Sequence, residues 1–195
     1  MEARRYNDAV PAPKTRKPPV PLDSGALMAY AARILSSRAQ TISELREKLR
    51  KKAANRDDVD QVLAKLKELG YVNDQKFAES FATWQRDYQG MGKTRVVRDL
   101  MARRVAPALA KQAVDDAFRE ADETAMIQSF LDRKYRGKNL AALLSRGNPD
   151  HDKNLASAYR KLRTAGFGTG NSIRVLKKYS SEAELLEGSE EGETE

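Results

Sequence analysis

Apolar side chains recur every three or four residues along most of this chain, the spacing that places them on one face of a helix. Ser24 is positioned to cap a first helix running to about Leu35. Thr41-Ile-Ser-Glu44 reads as a capping box, with the threonine accepting from a free amide and the glutamate reaching back, and Leu45 and Leu49 follow on one face. Asp57-Asp58 starts a third helix carrying Val59, Val62, Leu63 and Leu66, and Gly70 stops it. Asn73-Asp74 opens the next, where Phe77, Phe81, Trp84 and Tyr88 recur at helical spacing. Such a stripe suits base stacking, but its period matches burial, and the buried face of a helix is the preferred reading. Gly90-Met-Gly92 breaks that helix, Lys93–Arg104 forms another, and Pro107 opens one through about Ala121. Glu123–Tyr135, Lys153–Ala165 and Asn171–Tyr179 complete the series. Arg136–Asp152 between them is irregular, with one helical turn at Leu140–Leu144. Strand-like alternation is missing.

The pattern repeats. With Leu49, Leu100 and Leu162 as anchors, Leu45, Val96 and Ala158 stand four residues before, and Ala54, Val105 and Phe167 five after. Val62-Leu63, Ala113-Val114 and Val175-Leu176 stand thirteen and fourteen after, and Leu66, Ala117 and Tyr179 seventeen after. One more amphipathic helix precedes each copy. The predicted fold is therefore all-α: three tandem three-helix repeats, at 23–72, 73–121 and 122–180, stacked in an elongated, curved array.

Charge changes the picture at both ends. Residues 1–22 mix five prolines with Lys14, Arg16 and Lys17 and read as a disordered basic arm. Residues 181–195 hold seven glutamates and no Lys or Arg and read as a disordered acidic tail. Without that tail the formal charge of +8 becomes +15, which favours polyanionic partners. The basic residues follow the repeat: Lys48, Arg50, Lys51 and Lys52; then Lys93, Arg95, Arg98, Arg103 and Arg104; then Arg160, Lys161 and Arg163. Each alone fits a solvated helix face; together, in stacked units, they form a broken basic band and a candidate binding surface.

No catalytic site emerges, and the chain reads as non-catalytic. Cysteine is absent, which excludes disulfides and thiolate chemistry, and the lone His151, between Asp150 and Asp152 in a polar loop, cannot build a metal site. Gly92-Lys93-Thr94 hints at a phosphate loop, but the glycine required five residues earlier is Asp87 and the preceding segment is helical. The pairs Asp57-Asp58 and Asp115-Asp116 read as helix-start or exposed carboxylates. No cofactor is implied. Neither a secretory leader nor an apolar run of membrane-spanning length is present, so a cytoplasmic location is expected.

Gly70-Tyr-Val-Asn-Asp-Gln-Lys-Phe-Ala78, followed by Arg86, Gly90-Met-Gly92 and Arg95-Val-Val-Arg-Asp-Leu100, resembles the RecX family of regulators of the bacterial recombinase RecA. Ser43-Glu-Leu-Arg-Glu-Lys-Leu49 and Lys161-Leu-Arg-Thr-Ala-Gly-Phe167 fit the same family, and the resemblance covers about residues 24–180. Where the family usually has Lys-Gly-Ile late in its second repeat, this chain has Arg104-Val105 without glycine, and the first repeat has Ala53 at the equivalent place. The resemblance implies a monomer that binds RecA and its DNA filament, with weak affinity for single- or double-stranded DNA. It would lower strand exchange, ATP hydrolysis and co-protease activity. The basic band, Arg86 included, is the surface expected to meet filament and DNA.

Overall fold

The computed structural model describes residues 20–180; the acidic tail and all of the basic arm before Val20 lie outside them. The first unit comprises α1 (Ser24–Ser37), α2 (Ile42–Arg50) and α3 (Arg56–Glu68). Asp23, not Ser24, caps α1, accepting from the Ala26 amide at 2.9 Å. The Thr41–Glu44 capping box is present, with bonds of 3.1 and 3.2 Å. Asn55 caps α3, so Asp57 and Asp58 sit in its first turn, where carboxylates complement the helix dipole.

The second unit comprises α4 (Asp74–Trp84), α5 (Lys93–Ala102) and α6 (Pro107–Ala117). A π-helical segment, Gln85–Gln89, extends α4 and ends at Gly90 in the left-handed region. The third unit comprises α7 (Glu123–Lys134), the single turn α8 (Leu140–Leu143), α9 (His151–Ala165) and α10 (Thr169–Leu176). The α8 turn is inserted between what would otherwise be the first and second helices of that unit. His151, expected in a polar loop, is instead the buried first residue of α9, its Nε2 3.3 Å from Ser180 Oγ. Strands are absent among the described residues; the one β-bridge joins Leu22 to Ala53.

Each unit has its own hydrophobic cluster, centred on the anchor leucines, all three of which are fully buried. Leu45, Val96 and Ala158, one turn earlier, are likewise fully buried. Ala54 departs from the register and is exposed, because Ala53 turns inward to meet Leu22. Leu22, assigned by sequence to the end of the arm, is thus part of the folded body and packs on the first core. Met91 and Met126 pack against both the second and third clusters, so those two cores share a wall.

The aromatic stripe of α4 is not its buried face. Ala78 and Ala82 are fully buried, Phe77 and Phe81 are half-buried, and Trp84 and Tyr88 are 47% and 72% exposed. Small residues let α4 lie close against α6; the large rings, about 100° around the helix, border solvent.

Candidate functional site

The units join by one device used at equivalent positions. Three residues after each anchor leucine, a carbonyl at the end of that helix accepts a hydrogen bond from outside the unit's own helices. Arg103 O accepts from Thr41 Oγ1 at 3.0 Å, and Ala165 O accepts from the Gly92 amide at 2.8 Å. Thr41 and Gly92 are the N-caps of α2 and α5, each eight residues before its own anchor. The start of each second helix therefore sits on the end of its counterpart in the next unit, an arrangement that pairs the positive and negative ends of helix dipoles. At the free end of α2, Lys52 O accepts from the Leu22 amide at 2.7 Å, and Leu22 O accepts from the Ala54 amide at 2.9 Å. The extended segment takes the place of a preceding unit.

The second junction is close. A Cβ on Gly92 would lie 2.3 Å from Gly166 C and O, and one on Gly166 would lie 2.2 Å from the Arg95 amide nitrogen. The Thr94 amide donates to Gly166 O at 3.2 Å. The N-cap amide and one first-turn amide of α5 are thereby occupied by protein carbonyls, which rules out the phosphate-loop reading of Gly92-Lys93-Thr94 on geometry as well as spacing.

This contact carries Arg95 onto the last turn of α9. Arg95, Arg160 and Lys161 then line a cavity of about 380 Å³ with Lys134 from α7, over a floor that includes Met91 and Phe130. Arg95 is paired with Asp99 at 2.9 Å, while Arg160 and Lys134 have no carboxylate partner among the described residues. Lys161 donates to Tyr135 Oη at 3.1 Å and lies 4.8 Å above its ring, which fixes the ammonium without neutralising it. Four cations against one carboxylate make this groove a site for phosphate or carboxylate oxygens. Lys134 stands outside the basic clusters of the sequence; in the last turn of α7 it reads as an ordinary complement to the helix dipole.

The remaining basic candidates have different surroundings. Arg103 pairs with Glu44 at 3.5 Å and lies over the Phe77 and Phe81 rings, and Arg104 pairs with Glu47 at 2.7 Å; both knit the first unit to the second. Lys93 pairs with Asp115 at 3.6 Å. Lys48 donates to Gln40 Oε1 at 2.6 Å, and Arg163 to Phe167 O at 2.7 Å. Arg86 bonds Asp87 at 2.6 Å and also donates to Ala117 O. Their hydrogen bond and charge pairing push the Arg86 guanidinium up and hold the Asp87 carboxyl below its ordinary value. Arg98 is exposed on α5 without an ion-pair partner among the described residues, and Lys51 and Lys52 lie at the far end of α2 beside Leu22.

Two family models match this chain: RecX, first three-helix domain, over residues 28–66, and RecX, second three-helix domain, over residues 73–114. Regulatory protein RecX of Amycolatopsis mediterranei is 30% identical over 158 residues, covering 79% of this chain and 85% of that protein. The chain belongs to the RecX family. The Deinococcus radiodurans RecX is 32% identical over 156 residues, covering 80% of this chain and 67% of its own. The crystal structure of RecX from Lactobacillus salivarius shares the fold, with a TM-score of 0.55 at 18% identity over 83% of this chain and 97% of that one. A regulatory role follows from membership of the RecX family. No helix among the described residues is long and apolar enough to cross a membrane.

Proposed function

We propose that this chain binds the recombinase RecA and its DNA filament in the cytoplasm and modulates, mostly by inhibition, its recombinase, ATPase and co-protease activities. The observation that carries the reading is the groove of Arg95, Arg160, Lys161 and Lys134, in a chain of the RecX family. Three of its cations, Arg160, Lys161 and Lys134, are free of carboxylate partners among the described residues, and the groove is held by a backbone-to-backbone junction rather than by a loop. Such a site is preorganised for an anionic surface, whether filament phosphates or acidic protein patches, and binding through it weakens as salt rises. The exposed Arg98 and Lys51, with the half-buried Lys52, would extend that surface.

Mixing the full chain with RecA alone, and then with RecA on single-stranded DNA, tests this reading. The expected result is binding to RecA without DNA and loss of the filament's ATP hydrolysis. Binding to naked DNA alone, with RecA activity untouched, would overturn it in favour of a general nucleic-acid-binding helical-repeat protein, which the +15 charge outside the tail also suits.

A further inference from the structure

A second cavity, of about 370 Å³, lies where the loop between α1 and α2 faces α4, well apart in sequence from the basic groove. Its walls include Tyr71, Phe77, Phe81 and Trp84, and Lys76 is its only charged lining residue. Phe77 and Phe81 stack with ring centroids 5.8 Å apart and an 18° interplanar angle, and Arg103 lies over both. Tyr71 is 67% exposed. Gln40, only 3% exposed, also lines the cavity. Its Oε1 receives the Lys48 ammonium at 2.6 Å; since an ammonium only donates, the amide orientation is settled and Nε2 is the free end. That Nε2 is buried with no hydrogen-bond partner.

Stacked aromatic surface, one buried unanswered donor and one cation at the rim are the elements that recognise a nucleobase and its phosphate. We propose that this groove takes an unstacked base of single-stranded DNA, with Tyr71 and Trp84 against its face, Gln40 Nε2 donating to a base carbonyl or ring nitrogen, and Lys76 meeting the phosphate. An apolar side chain from a protein would leave the buried Gln40 donor unanswered, whereas a base supplies the acceptor that relieves it. The basic arm of this same chain would bring like charge to Lys76. The choice of DNA rests on the recombinase reading; the groove's fit to a base does not.

Trp84 is the only tryptophan in the chain, so tryptophan emission, excited at the red edge where the seven tyrosines do not absorb, reports on this groove alone. The full chain is titrated, without recombinase, with an oligodeoxythymidylate of about twelve nucleotides and with an abasic strand of equal length. The expected result is quenching by the thymidylate and none by the abasic strand, which binds at least about fivefold more weakly. Tyr71→Ala, at an exposed position, and Gln40→Met each weaken thymidylate binding by about fivefold and leave abasic-strand affinity and helical circular dichroism unchanged. Equal binding and quenching by the abasic strand would overturn the proposal. So would emission that responds only to RecA without DNA, which marks a protein-docking groove. Quenching by naked thymidylate without any effect on RecA leaves this inference standing and removes the recombinase reading instead.

Discussion

Replacing Gly92 by alanine adds one methyl group where α5 meets the end of α9 backbone to backbone. Gly92 has φ −78° and ψ 162°, which any residue adopts, so the change carries no backbone strain of its own. The new Cβ would lie 2.3 Å from Gly166 C and O and 2.5 Å from the Phe167 amide nitrogen, all backbone atoms that cannot rotate away. Restoring ordinary contact of about 3.5 Å requires the second and third units to part by roughly 1 Å. That opening stretches the Gly92–Ala165 bond of 2.8 Å and the Thr94–Gly166 bond of 3.2 Å. Two backbone hydrogen bonds at about 1 kcal/mol each, with overpacking of about 1–3 kcal/mol, give a loss of roughly 3–5 kcal/mol. For a body of this size the melting temperature should fall by roughly 10 °C. Gly70→Ala is the control: Gly70 has φ +74° with nothing within 4 Å of a Cβ, so left-handed strain alone costs about 1–2 kcal/mol. Urea unfolding of both variants decides. A Gly92→Ala loss no larger than that of Gly70→Ala would refute the close junction, and with it the positioning of Arg95 beside Arg160.

Four further outcomes follow from the geometry. Arg104 has φ +62°, and its pair with Glu47 is at least half exposed; Arg104→Gly should therefore raise stability by up to about 1 kcal/mol in thermal or urea unfolding, strain relief outweighing a weak surface pair. Leu100→Ala should lose about 2–5 kcal/mol in the same assay, since Leu100 is fully buried in the second core. Arg160→Glu with Lys134→Glu should weaken binding to RecA filaments and flatten its salt dependence while leaving helical circular dichroism intact; unchanged inhibition would exclude the basic groove. The Asp87 carboxyl is held low by Arg86, so its contribution is complete above the ordinary carboxylate value of about 3.9 and is lost as pH falls through its depressed one. The stability difference between the native chain and Asp87→Asn should accordingly shrink below about pH 4.

Much of the fold is legible in the residues. The Thr41–Glu44 box, Pro107 at the first turn of α6 and the left-handed Gly70 mark their helix ends directly. The three anchor leucines mark the three cores because a fully buried large side chain is the strongest constraint a helix face carries. Phe77, Phe81, Trp84 and Tyr88 mislead for a physical reason. Ala78 and Ala82 share their period one residue over, and hydrophobic bulk points to the wrong one of two adjacent faces. The π-helical segment at Gln85–Gln89 then turns Tyr88 further from the helical register. The candidate site is less legible. Basic residues advertise charge but not partners, so Arg103 and Arg104, which bind Glu44 and Glu47 across the first junction, look the same in sequence as the open Arg160. The junctions themselves are made largely of carbonyls and amides, which every residue has, and only the glycines at 92 and 166 leave a trace of them.

Leu22 bears on more than the first core. A contact in which the front of one unit sits on the back of the next has no natural stopping point, and such head-to-tail surfaces propagate as open fibres unless something blocks them. In this chain the last acceptor of the series, Lys52 O, is already taken by the Leu22 amide, in the extended segment that precedes α1. Leu22 thus satisfies from within the molecule the carbonyl that a preceding unit would otherwise occupy, so the head-to-tail contact made at the two inner junctions is replaced at this end by the chain's own backbone.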